Sequence, residues 1–286
     1  MKKLITIRPA PAPHWVGDGF PVRSLFSMHE PGFPTSPFLL LDYAAPYSFD
    51  PTEIPKGVGE HPHKGFETVT IVFQGELEHR DSTGSHGRIG EGDVQWMTAG
   101  SGLVHEELHA KEFARRGGTI EMVQLWVNLP AKDKSTPPRY QTLEAKAIPS
   151  VDLPGGAGSA RVIAGELEGT RGPAKTFTPV AVWDVSLAAG KETELPAPEG
   201  FTTLVVPIRG RLRLAGGSEA GPADLAVHTA EGSGLALSAV EAARSLVLSG
   251  APIHEPIAAY GPFVMNTPEE IREAIEQFRT GAMGHL

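Results

Sequence analysis

The sequence predicts an all-β chain built from two copies of one barrel or sandwich unit, followed by a short C-terminal helix. Three observations lead there. Short β-branched and aromatic runs recur along the 286 residues, and glycine (33) and proline (26), the residues of tight turns, make up a fifth of them. One segment also occurs twice: GFETVTIVFQGELEH (65–79) aligns without gaps on GFTTLVVPIRGRLRL (200–214), an offset of 135 residues that matches the opening Gly-Phe, the apolar run and the turn glycine. A repeat of that length is too long for a solenoid or propeller unit and fits a duplicated β-sandwich or barrel.

The individual elements follow from local pattern. PFLLLDYAA (37–45) reads as a buried strand, and FETVTIVF (66–73) as a stronger one, turned by Gln74-Gly75 into the alternating ELEHR. DVQWM (93–97) and IEMVQLWVNL (120–129) are further strands. Residues 130–160 lose the alternation and are rich in Pro, Gly and Lys, so they read as the interdomain connection. Strands resume at 176–187, 201–208, 211–215 and 244–248. Thr267 and Glu270 fit a capping box with Pro268 at the first helical position; Ile271, Ala274, Ile275 and Phe278 then form one apolar stripe, ended by Gly281. That stripe is read as a packing element, with contact to another chain as the alternative. The expected domains are 1–135 and 136–286, the second carrying the terminal helix.

Composition narrows the function. With 40% apolar residues the chain can bury a substantial core. A net charge of -9 argues against direct nucleic-acid binding. Without cysteine there is no disulfide, thiolate metal site, iron–sulfur cluster or cysteine nucleophile, so a metal must be held by His, carboxylate or backbone oxygen. The opening MKKLITIRPAPAP lacks the roughly 7–15 apolar residues of a secretory segment, and no run reaches the roughly 18 of a membrane span. A cytoplasmic protein without membrane association is expected.

Two short motifs carry chemistry. In an extended chain residues i and i+2 share a face, so both imidazoles of His61-Pro62-His63 reach one point; on a helix the same step would turn them about 200° apart. Pro62 favours the extended form. His105-Glu106-Glu107, after the turn Gly100-Ser101-Gly102, repeats the arrangement with His105 and Glu107. A lone H-x-H is commonplace on surfaces; two such pairs beside glycine turns and strands are not. Three nitrogens and one oxygen suit Fe(II), Mn(II), Co(II), Ni(II) or Cu(II) with open positions, rather than a closed zinc site or calcium. The segment aligned with HPHKG (61–65) is PAPEG (196–200), so both histidines become prolines and only the first copy is expected to hold metal.

HPHKGFETVTIVFQGELEHRDS (61–82), GDVQWMTAGSGLVHEE (92–107), LWVNLPAKDKSTPPRYQ (125–141) and GPFVMNTPEEIREAIEQFR (261–279) resemble the pirin family, and HWVGDGFPVRSLF (14–26) looks like its N-terminal signature. The resemblance runs nearly end to end. It implies a bicupin, two tandem cupin barrels of the double-stranded β-helix or jelly-roll type, with iron in the first. By resemblance the metal ligands are His61, His63, His105 and Glu107, holding Fe(II) most readily, with Mn, Ni, Co, Cu or Zn as alternatives. Glu67 occupies the usual glutamate position of the wider cupin pattern and stays open as the carboxylate ligand; otherwise it orients a histidine.

The resemblance implies two functions. One is a quercetin 2,3-dioxygenase, in which Glu107 also acts as catalytic base toward a flavonol-like substrate, with Trp96, Met97 and Phe66 as candidate pocket walls. The other is a non-catalytic, redox-responsive regulator that binds a transcription factor or metabolic enzyme. His79, His86 and His109 read as surface residues or as neighbours of the ligands, with His109 able to reach the pocket rim. A monomer is expected.

Overall fold

A computed structural model of the chain describes residues 1–30 and 34–286. They are mostly strands, and among them the α-helices are Lys111–Arg116 and Pro268–Arg279. The chain forms two compact units, one of Ala12–Pro31, Phe38–Ala145 and Ile253–Leu286, the other of Met1–Pro11, Gly32–Pro37 and Lys146–Pro252. They are called here the first and second unit.

Each unit has a seven-stranded and a four-stranded antiparallel sheet. In the first unit the large sheet runs Arg139–Leu143, Val94–Thr98, Phe66–Gln74, Gly118–Asn128, Phe38–Phe49, Phe20–Ser27, His14–Val16. In the second it runs Leu4–Arg8, Leu225–His228, Thr202–Arg209, Ala243–Gly250, Val180–Leu187, Gly158–Ala164, Ser150–Asp152. The repeated segments, Phe66–Gln74 and Thr202–Arg209, hold the same third place, as a duplication requires.

The edge strands cross the expected division at 135/136. Leu4–Arg8 and Arg139–Leu143 differ by the repeat offset of 135, yet each closes the sheet of the other repeat's unit. Lysines fix these ends. Lys2 Nζ donates to the carbonyls of Phe201, Thr229 and Ala230 in the second unit. Lys134 Nζ donates to the carbonyls of Gly65 and Val264 and to Asn128 Oδ1 in the first, at 2.7, 2.9 and 2.7 Å.

The terminal helix belongs to the first unit, not the second. Its capping box forms: Thr267 Oγ1 accepts from the Glu270 N–H at 3.2 Å and Glu270 Oε2 accepts from the Thr267 N–H at 2.9 Å. Ile271 and Ala274 are buried with Phe263, Met265, Met283 and Val104, whereas Phe278, expected on the same stripe, is 41% exposed. Burying a side chain such as Ile271 contributes about 2–3 kcal/mol. Val104 immediately precedes His105, so this packing supports a strand of the candidate site.

Other differences from the sequence reading are local. Within the expected connection 130–160 lie the strands Arg139–Leu143 and Ser150–Asp152. The helix Lys111–Arg116 is only six residues long and has no side-chain cap, so it leaves little periodic signal. Phe66–Gln74 is buried at every residue but the last, which explains why FETVTIVF lacks alternation.

Candidate metal centre

The strands Gly57–His63 and Leu103–His109 pair antiparallel, with His61 opposite His105 and His63 opposite Leu103. The two motif loops are tied at their ends. The Gly65 N–H donates to the Gly100 carbonyl at 2.9 Å, and Lys64 Nζ donates to the Ser101 carbonyl at 2.5 Å. Gly65 adopts a φ of +87°, and a Cβ there would lie 2.0 Å from the Val264 carbonyl oxygen, so only glycine fits.

This pairing brings three imidazoles together. Donor atoms of His61, His63 and His105 all lie within 4.8 Å of one another, with ring centroids 4.3–4.9 Å apart. His61 Nδ1–H donates to the Gly59 carbonyl at 2.8 Å, which leaves its Nε2 lone pair free to face inward. That Nε2 stands 3.1 Å from His63 Nε2. Two nitrogens at about 2.1 Å from one ion, subtending roughly 95°, would have this spacing.

His105 is 1% exposed, and neither of its ring nitrogens has a hydrogen-bond partner among the described residues. A buried imidazole left so is costly unless something else occupies its lone pair. Burial, then the neighbouring imidazoles, holds His63 and His105 well below the ordinary histidine pKa, so both are neutral ligand bases at pH 7. The donor set therefore fits a divalent transition-metal ion.

Glu107 is not in the three-histidine group. It shares a strand face with His105, but Thr70 donates to its Oε1 at 3.3 Å and Gln124 Nε2 to its Oε2 at 3.0 Å. Thr70 also donates to Gln124 Oε1 at 2.8 Å, which locks the trio. Burial raises the Glu107 pKa to about 7, against the effect of these two donors.

Glu67 lies elsewhere. The strand Phe66–Gln74 pairs in unbroken register from Phe66 to Val72, so Phe66, Thr68 and Thr70 share one face and Glu67 the other. The face of Thr70 is that of Glu107. Glu67 instead accepts from Thr98 Oγ1 at 2.8 Å, and burial raises its pKa to about 7. It is a buried acid on the far side of the sheet.

The same parity corrects the expected pocket walls. Trp96 pairs with Val69 and faces with Glu67, while Met97 pairs with Thr68 and faces the site. The indole near the site is Trp126, 5.3 Å from the His63 ring and 4.3 Å from Phe66. Sequence reasoning missed it, along with Thr70, Gln124 and Tyr140. His79 stacks on Tyr140 at 4.9 Å and is buried beside the ligand strand, opposite Glu107. His86 is exposed. His109 is a core residue: it packs against Phe49, Phe20 and Phe113, and its Nε2–H donates to the Gly19 carbonyl.

Two jelly-roll units, the first enclosing a histidine cluster, define a bicupin with one candidate metal centre among the described residues. The sequence matches the Pirin family over residues 19–127 and the Pirin C-terminal cupin domain over residues 182–284. The chain belongs to the pirin family. It is 57% identical to a Pseudomonas aeruginosa protein named "Putative quercetin 2,3-dioxygenase", over 98% of both chains. A crystal structure of quercetin 2,3-dioxygenase from Acinetobacter baumannii is similar at a TM-score of 0.96 and 52% identity, covering 99% of both chains. A bacterial pirin from Escherichia coli, solved in complex with nickel(II), shares the fold at a TM-score of 0.65 and 18% identity, covering 87% of this chain and 99% of that one. No helix among the described residues is long and apolar enough to cross a membrane.

Proposed function

We propose that this chain is a metal-dependent dioxygenase that opens quercetin-like flavonols with O₂, using Fe(II) held by His61, His63, His105 and Glu107. The observation that carries this reading is the cluster of three imidazoles, in which buried His105 has neither ring nitrogen paired and buried His63 leaves Nδ1 unpaired, beside a buried carboxyl group whose pKa is raised to about 7. The likeness to quercetin dioxygenases gives it a substrate class.

A redox-active ion at this site would supply Lewis acidity and a template that holds an enolic oxygen beside O₂. The protein supplies the rest. The Gly59 carbonyl fixes the His61 tautomer, so its Nε2 points inward. Thr70 and Gln124 hold Glu107 in one orientation. Glu107, a buried carboxyl whose pKa is raised to about 7 in the metal-free protein, is the group placed to take the proton of a flavonol hydroxyl and return it to the product. Phe66, Trp126 and Met97 form an apolar wall suited to flat aromatic rings, and exclude water from the proton transfer.

The test is oxygen uptake and carbon monoxide release with quercetin and the Fe(II)-loaded protein. Turnover that the His63→Ala variant loses supports the reading; no turnover above that variant overturns it.

A further inference from the structure

The second unit contains a cavity of about 780 Å³, lined by Phe177, Trp183, Pro196, Pro198, Phe201 and Ser249 among others. Its position is informative. Pro196 and Pro198 stand 135 residues after His61 and His63, so the cavity occupies the place in the second barrel that the histidine cluster has in the first.

Its size has an identifiable cause. In the first unit Thr68 pairs with Trp126, whose indole packs on Phe66. In the second, Thr203, at the position equivalent to Thr68, pairs with Ser249. The aromatic ring equivalent to Phe66 is kept as Phe201, but a serine replaces the tryptophan. An indole's volume is thereby left open beside Phe201.

Polar groups without partners lie in and just behind the cavity wall. Trp183 Nε1 and Ser249 Oγ have no hydrogen-bond partner among the described residues, though each residue is only 2% exposed. Thr203 Oγ1, fully buried, shares that state. Trp183 pairs with Val247, two residues before Ser249, so Trp183, Ser249 and Thr203 lie on one face of the sheet, toward the barrel interior. Buried donors of this kind are expected to meet an acceptor. At the mouth, Glu166 and Arg171 approach within 3.9 Å and offset each other's charge.

We propose that the second barrel binds, without a metal, a small planar aromatic molecule bearing a hydrogen-bond-accepting oxygen. The ring lies against Phe201 and the proline walls, and on entry a turn of the Ser249 side chain and a small shift of the Trp183 indole bring the hydroxyl and Nε1–H to its oxygen. A cavity of this volume falls within the roughly 300–1,000 Å³ of small-molecule sites, whose pattern is likewise an apolar wall with a few convergent polar atoms.

Coumarin, a two-ring molecule with a ring carbonyl, is a suitable probe, titrated into the full chain by calorimetry. The expected result is one-to-one binding that is weakened about tenfold in Trp183→Phe, which keeps the ring and loses the donor. Ser249→Trp, which restores the indole of the first barrel, should abolish binding, and His63→Ala should leave it unchanged. Circular dichroism and melting temperature establish that each variant is folded; if Ser249→Trp is not, Trp183→Phe decides alone. No binding up to the solubility limit, equal affinity in Trp183→Phe, or loss of binding in His63→Ala overturns the proposal.

Discussion

His61 Nε2 and His63 Nε2 stand 3.1 Å apart, facing each other from two positions of one strand that are separated only by a proline. At that spacing neutral His63 can donate its Nε2–H to the His61 Nε2 lone pair, and a bound cation would take the place of that proton. The same spacing suits two nitrogens bound to one ion. Replacing either histidine by alanine should cost more metal affinity than the roughly 10–100-fold typical of losing a partner beyond the ligands themselves. Elemental analysis of the purified variants checks this; stoichiometric metal in both would refute the site.

Glu107 should set the pH dependence of metal binding. Its pKa in the metal-free protein is about 7, while His63 and His105 are neutral well below their ordinary value. As pH falls through 7 an incoming ion must displace a proton from Glu107 but none from these two histidines. Affinity should drop by up to about tenfold per pH unit below 7. Glu107→Gln should bind more weakly at pH 8 and lose this slope, as measured by chelator competition between pH 6 and 8.

Glu67→Gln should keep the metal, because Glu67 lies on the opposite sheet face from Thr70 and Glu107. Its effect is on stability. The folded state holds the Glu67 proton up to about pH 7, whereas the unfolded chain releases it near 4.5. The native state thus binds more protons between these values, and the stability contribution of Glu67 falls as pH rises through that window. Urea denaturation at pH 5 and pH 8 should show a smaller difference for Glu67→Gln than for the parent.

Gly65→Ala should destabilise the first unit by at least about 2 kcal/mol, since it forces a left-handed residue to carry a Cβ against the Val264 carbonyl. The same change should weaken metal binding, because Gly65 ties the His63 end of its strand to Gly100. Denaturation midpoints and metal content, read on one sample, test both.

Thr267→Ala removes the acceptor for the Glu270 N–H and half of the capping box. A loss of about 1 kcal/mol is expected. Because the helix packs on Val104, next to His105, hydrogen exchange in the strand Leu103–His109 should rise as well. An effect confined to the helix would show that it does not brace the site.

By itself the sequence determined what local geometry determines. The i, i+2 spacing in HPH and HEE puts each pair on one strand face, the Thr267–Glu270 cap starts the last helix, and the matched segments 135 residues apart reveal the duplication. Steric alternation within a strand and hydrogen bonds within a turn involve neighbours in the chain, so composition and spacing record them. Tertiary structure decided the rest. That strands about forty residues apart bring His105 beside His61 is a matter of pairing, set by long-range burial. Which glutamate faces the histidines, and whether Trp96 or Trp126 stands near them, depends on the phase of a strand buried on both faces, where FETVTIVF offers no polar face to mark it. The exchange of Leu4–Arg8 and Arg139–Leu143 between sheets, and the space left where Ser249 replaces an indole, likewise follow from partners far away in sequence.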